Sequence, residues 1–135
     1  LMQYGFVEEA QQIAIGLLRA AQYFGGRLPE LFCGFDMSEF TIPVAYPTSC
    51  SPQAWAAASV FSLLRTLLAF DPSIPRGELW LAPKVPAELG TLRIENIPLG
   101  EQRVTVEVKG DEVSVDGLPA GVRLIREERG PNRSG

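Results

Sequence analysis

Histidine is absent from all 135 residues. That excludes imidazole acid–base catalysis and histidine metal sites within this chain, and leaves proton transfer to carboxylates. Cysteine is scarce: Cys33 and Cys50 are the two, too few for a disulfide framework in a chain this long. They read as free thiols in a reducing, cytoplasmic setting. The alternative is a Cys33–Cys50 bridge pinning the segment between them, which needs closely approaching Cα atoms. Positive charge is in deficit, with 12 Lys and Arg against 16 Asp and Glu and a net charge of −4. No basic face for nucleic acid is expected, and no run of like charge forms an interaction tail.

Long clean apolar runs are missing too. Ala54 to Phe70 approaches the length of a membrane span, but Ser59, Ser62, Arg65 and Thr66 interrupt it. It falls short of the roughly 20 apolar residues a span needs, so no membrane partner is expected. No basic n-region with a following cleavage site opens the sequence. Beginning at Leu1 rather than Met, it reads as a portion of something longer. There is no metal-ligand spacing, glycine-rich phosphate loop or nucleophile elbow, so neither metal nor cofactor is expected.

What is present divides by periodicity. Phe6, Ala10, Ile13, Leu17, Ala20 and Phe24 recur at spacings of three and four, which predicts a helix over 6–24. Glu8 and Glu9 suit its first turn and Gly25-Gly26 its end. A second helix is expected to 70, with Ser51 as N-cap and Pro52 at the first helical position. Between Ala54 and Phe70 its only charge is Arg65. A helix apolar on every face is expected to be buried on all sides, and two helices with one loop cannot bury it. Partners are therefore expected, and the isolated chain should associate through the exposed surface.

Beyond Pro72 the pattern becomes strand-like. Glu78 to Ala82, Leu92 to Ile97, Arg103 to Lys109, Glu112 to Val115 and Val122 to Ile125 read as strands of one small antiparallel sheet. Asp116-Gly117 and Gly110-Asp111 supply turns. The expected domains are 1–72 for the helical part, 73–126 for a β-appendage and 127–135 for a disordered tail.

The long segment between the helices holds the chemistry. Phe32, Phe35, Phe40, Ile42, Val44 and Tyr46 are too apolar for a disordered loop, and loops longer than about 12–15 residues are usually functional. Glu30 follows Pro29 among Leu28, Leu31 and Phe32. It is either a general base or acceptor for substrate, or an ion pair or cap that fixes the loop. Asp36 and Glu39, three apart, offer a second carboxylate beside Glu30 or a solvated loop face. Trp55 offers a stacking platform for a sugar ring or a core side chain. Gln53 offers a donor to a ligand hydroxyl or to loop carbonyls. Tyr46 and Phe35 carry the same two readings.

Three segments carry a resemblance: Tyr4 to Ala10, Gly26-Arg27-Leu28-Pro29-Glu30-Leu31-Phe32 with Gly34-Phe35, and Pro47 to Trp55 with its Cys-x-x-Gln-Ala-Trp core. Together they resemble the C-terminal end of amylo-α-1,6-glucosidases, the glycogen-debranching-like glycosidases. That resemblance implies a helical hairpin of an (α/α)₆ toroid, here followed by the small sheet, an α+β fragment. It implies an inverting hydrolase of α-glucosidic bonds with Glu30 as the water-activating base. Phe35, Tyr46, Gln53 and Trp55 would then shape or support the glucose subsite. The partners implied are a glucan or α-glucoside substrate and upstream toroid helices. The general acid would lie upstream, so this chain alone would be inactive. The rival expectation is a non-catalytic module that binds carbohydrate or another subunit, including a second copy through the apolar helix.

Overall fold

The computed structural model describes Tyr4, residues 6–36 and residues 38–129. Two helices lead: α1 over Val7–Tyr23 and α2 over Ala54–Leu68. Six strands follow: β1 Asp71–Ser73, β2 Glu78–Trp80, β3 Thr91–Leu99, β4 Gln102–Lys109, β5 Glu112–Asp116 and β6 Arg123–Ile125. The chain divides into two compact units. Glu8–Leu64 is one, and Arg65 onward, with the described residues before Glu8, is the other.

In the helical unit, α1 buries Ala10, Ala14, Ala20 and Ala21 along one face. Ala20 and Ala21 pack with Leu28, against which Leu17, Phe32, Ala56 and Val60 also rest. α2 enters this contact through Ala56 and Val60, so it is local rather than a long helix–helix seam.

Both helices end with the same cap and different residues in it. After α1, Gly25 takes a left-handed φ of 63° and the Gly26 N–H donates to the Ala21 carbonyl at 2.8 Å. After α2, Ala69 takes φ 46° while Phe70 N–H donates to Arg65 O and Ala69 N–H to Thr66 O, each at 3.0 Å. This is the Schellman arrangement, which favours glycine at the left-handed position.

The second unit is built on sheets. β3, β4 and β5 form an antiparallel meander through tight turns at Gly100-Glu101 and Gly110-Asp111. β3 carries an irregularity between Ile94 and Ile97, where Asn96 has φ 63°. Clean alternation on β4 turns Val104, Val106 and Val108 inward. They meet Leu79, Leu81 and Leu99, with Leu68 and Phe70 from the end of α2, in one core. β1 and β2 pair antiparallel, and β6 joins β2 in parallel. Glu78 and Arg123 face each other in that pair, with an ion pair at 3.0 Å. Of the expected tail, Lys84 pairs with Glu128 and Arg129 with Asp71. Residues from 130 lie outside those described.

Two expectations are corrected here. The toroid hairpin is overturned: two helices in limited local contact precede two small sheets, one of them mixed, an α+β arrangement with no toroid geometry. In keeping with the expectation that two helices and one loop cannot bury it, α2 is open to solvent: Trp55 is 83% and Phe61 75% exposed, and only Leu67 and Leu68 of this helix are buried. The single antiparallel sheet becomes two, because the chain after β5 returns to the far side of β2 instead of extending the meander.

The shared cap gives a two-sided prediction. Alanine in the left-handed region costs about 1–2 kcal/mol, partly offset by the unfolded-state freedom that glycine adds, about 0.4–1 kcal/mol. Ala69→Gly should therefore raise the unfolding free energy by about 0.5–1 kcal/mol. Gly25→Ala should lower it by a similar amount, since no atom crowds a Cβ there. Urea melts of both variants would show it, and an unchanged or lower midpoint for Ala69→Gly would refute it.

Candidate functional site

The segment between the helices is an ordered excursion with a braced base. Leu28 and Pro29 are buried at its start, which fixes where Glu30 leaves the core. Phe32 then bridges Ala45 in antiparallel fashion. The Cys33 N–H donates to Val44 O at 2.8 Å and the Tyr46 N–H to Leu31 O at 3.1 Å. The Phe32 ring meets Phe24 at 5.7 Å. A turn follows, with the Ser49 N–H donating to Tyr46 O at 2.9 Å.

Glu30 closes the structure. Its Oε2 accepts the Cys50 backbone N–H at 2.8 Å, across 20 residues of sequence. The Gln53 side chain and the Cys50 thiol also hydrogen-bond to it. Donors converging on a carboxylate favour its charged form. The Cys50 amide first, then Gln53 and the Cys50 thiol, hold Glu30 below the usual carboxylate range. Reciprocally, hydrogen bonding to Glu30 and then its charge push the Cys50 thiol up. Glu30 is exposed, so water screens this cluster. A general base works best with a pKa near the operating pH. A carboxylate pulled downward is less basic, and its geometry is that of a clasp joining the two ends of the loop.

Of the other candidates, Gln53 joins this clasp and Trp55, Tyr46 and Phe35 do not. The Gln53 carbonyl also accepts the Ala57 N–H at 3.0 Å as α2 begins. The expected start at Ser51-Pro52 shifts to Ala54, because Cys50 and Gln53 are held by Glu30 and the helix begins where they release the chain. The Ser51–Pro52 peptide is cis. Trp55 projects outward from the first turn of α2. Tyr46 joins the loop base through its backbone while its side chain is exposed. Phe35 stacks on Phe40 at a centroid distance of 4.4 Å, away from the base of the loop.

Asp36 organises the loop tip. Its Oδ1 accepts the Ser38 N–H at 2.8 Å, and its carbonyl accepts the N–H groups of Glu39 and Phe40. The Ser38 side chain and backbone lower its pKa, as befits a carboxylate that caps a turn. Cys33 and Cys50 are free thiols, and the Cys33 Sγ lies 3.8 Å from Ala45 O. Among the described residues no group of three or more metal-ligating side chains is assembled. Among them, too, no helix is long and apolar enough to cross a membrane. Cys50 as a partner of Glu30 was not foreseen from sequence, since a backbone donor 20 positions away leaves no local signal.

The clasp sets a pH dependence with a definite sign. The folded pKa of Glu30 is lowered from an ordinary value of about 4.3. Its contribution to stability is therefore present above that value and is lost as pH falls through the lowered folded one. Wild-type and Glu30→Gln chains should differ in urea midpoint at pH 7 and converge as the carboxyl protonates. A difference that stays constant down to acid pH would show that Glu30 does not clasp the loop.

Comparison with family models, with curated proteins and with solved structures finds no match for this chain.

Proposed function

We propose that this chain is an interaction module whose helical unit docks, through α2, on an apolar helix of a partner subunit. The exposure of Trp55 and Phe61 carries this reading. At 100° per residue, exposed Ala54, Ala58 and Ser62 run down the middle of one face, with Trp55 and Phe61 about 60° to either side. Small residues flanked by large ones make a groove that receives the ridge of another helix. No charged residue occurs from Ala54 to Leu64, so the face suits a partner helix that is equally uncharged. Free thiols at Cys33 and Cys50 support a reducing compartment such as the cytoplasm.

Sedimentation and dye binding test this reading. The chain alone should self-associate at tens of micromolar and bind an apolar-surface dye. Trp55→Ser/Phe61→Ser should disperse it to monomer with an unchanged melting temperature. A dye-silent monomeric wild type, or a double variant that unfolds, would assign these side chains to the fold and refute docking.

A second reading is hydrolysis of α-glucosidic bonds, with Glu30 activating water and the acid supplied by another part of a longer enzyme. It is supported by the meeting of Glu30 with Gln53, since these come from two of the segments on which the resemblance to amylo-α-1,6-glucosidases rests. Inverting hydrolysis needs an acid and a base about 6.5–9.5 Å apart. In an enzyme containing this chain, Glu30→Gln should lower the catalytic rate by roughly 10²–10⁴-fold per folded molecule. Normal turnover combined with early melting would leave Glu30 a clasp and nothing more.

A further inference from the structure

The tip of the loop carries a second surface that the α2 face does not explain. Phe35 and Phe40 stack at 4.4 Å with an interplanar angle of 28°, yet they remain 51% and 43% exposed. Ile42 beside them is exposed as well. The pair stands on a braced stem, the Leu31–Tyr46 and Cys33–Val44 hydrogen bonds, and the Asp36 turn holds its tip. Rigid, exposed aromatic side chains are the usual anchors of protein interfaces, because little ordering cost remains when they bind.

Charge narrows the partner. Asp36 and Glu39 lie between the two ring-bearing residues in the sequence, and both are exposed. Among the described residues no ion pair neutralises either one. From Leu28 to Leu64 the sequence holds three acids, Glu30, Asp36 and Glu39, and no Lys or Arg. Such a tip is repelled by anionic lipid surfaces and by nucleic acid phosphates. We propose that this tip docks into a protein surface with an apolar pocket ringed by Lys or Arg. The rings fill the pocket and the carboxylates set approach and register, which electrostatic complementarity does more effectively than it raises affinity. The proposal goes beyond the α2 surface and does not depend on it.

Panning a random peptide library on phage against the whole chain tests it, with counter-screens on three variants. Phe35→Ala/Phe40→Ala removes the rings. Asp36→Asn/Glu39→Gln keeps them and retains a side-chain oxygen for the turn. Trp55→Ser/Phe61→Ser removes the α2 face. The expected clones combine Lys or Arg with Leu or aromatic residues. They should bind the ring variant about tenfold more weakly, a loss of about 1.4 kcal/mol. The charge variant should also bind them more weakly and lose most of their sensitivity to about 0.5 M salt, at which surface charges are largely screened. The α2 variant should bind them as wild type does.

Clones without a basic excess, clones indifferent to both loop variants, or no clones at all would overturn the proposal. Clones lost only on the α2 variant would overturn it while supporting the helix surface. Circular dichroism melts accompany each variant, and if the ring variant does not fold, the charge variant decides the outcome.

Discussion

The Glu30 carboxylate accepting the Cys50 amide proton is the contact on which the helical unit depends. It joins the residue where the loop departs to the residue where it returns. Its effects reach further than one hydrogen bond. By holding Cys50 and Gln53 it sets where α2 begins, and hence which side chains open onto solvent. It also keeps the Phe32–Ala45 bridge closed at the base, since both strands of that bridge emerge from the clasp. A loop so braced can present aromatic side chains without the ordering cost that a flexible one would carry.

The helical unit concentrates negative and apolar surface together. Glu8, Glu9, Glu30, Asp36 and Glu39 face Arg19 and Arg27 as its only cations, counted from Glu8 to Leu64. The sheet unit contrasts with it. There Arg93 bonds to Glu95 and Glu107, Arg123 to Glu78, and Arg126 to the Val113 carbonyl on β5. Paired charges and a covered β5 carbonyl blunt that unit against strand addition. Charge is thus distributed unequally between the two units, paired in the sheet unit and predominantly negative in the helical one.

Much of this was legible in the sequence. The 3.6 period marked α1 and alternation at Arg103 to Lys109 marked β4, because each pattern records one buried face, while a long, almost uncharged apolar run marked α2. Glu30, Gln53 and Trp55 were expected together at a subsite; Gln53 meets Glu30, while Trp55 is turned to solvent. Other features were not legible. A three-residue strand such as β6 does not encode its neighbour, and its place beside β2 is settled by the chain's return and by the Glu78–Arg123 pair. Apolarity all around α2 raised the expectation of partners beyond this chain, and the exposed Trp55 and Phe61 agree with a helix that α1 and one loop do not cover. The toroid expectation rested on likeness of short segments, and segments of that length do not specify how helices stack. Ser51 and Pro52 have the right intrinsic preferences for a helix start, yet the clasp holds Cys50 and Gln53 on either side of them.

The parallel pairing of β2 with β6 has a kinetic side. β3, β4 and β5 meet through tight turns, so their closure spans few residues and can be early. β6 reaches β2 only after the chain has looped from Glu78 round to Arg123, and the entropy of that closure precedes any return from the contact. Three residues of ladder and one ion pair make this the shorter lock, so the Leu81 amide, whose bond runs to the Ile125 carbonyl, should exchange its hydrogen sooner than the amides of β4.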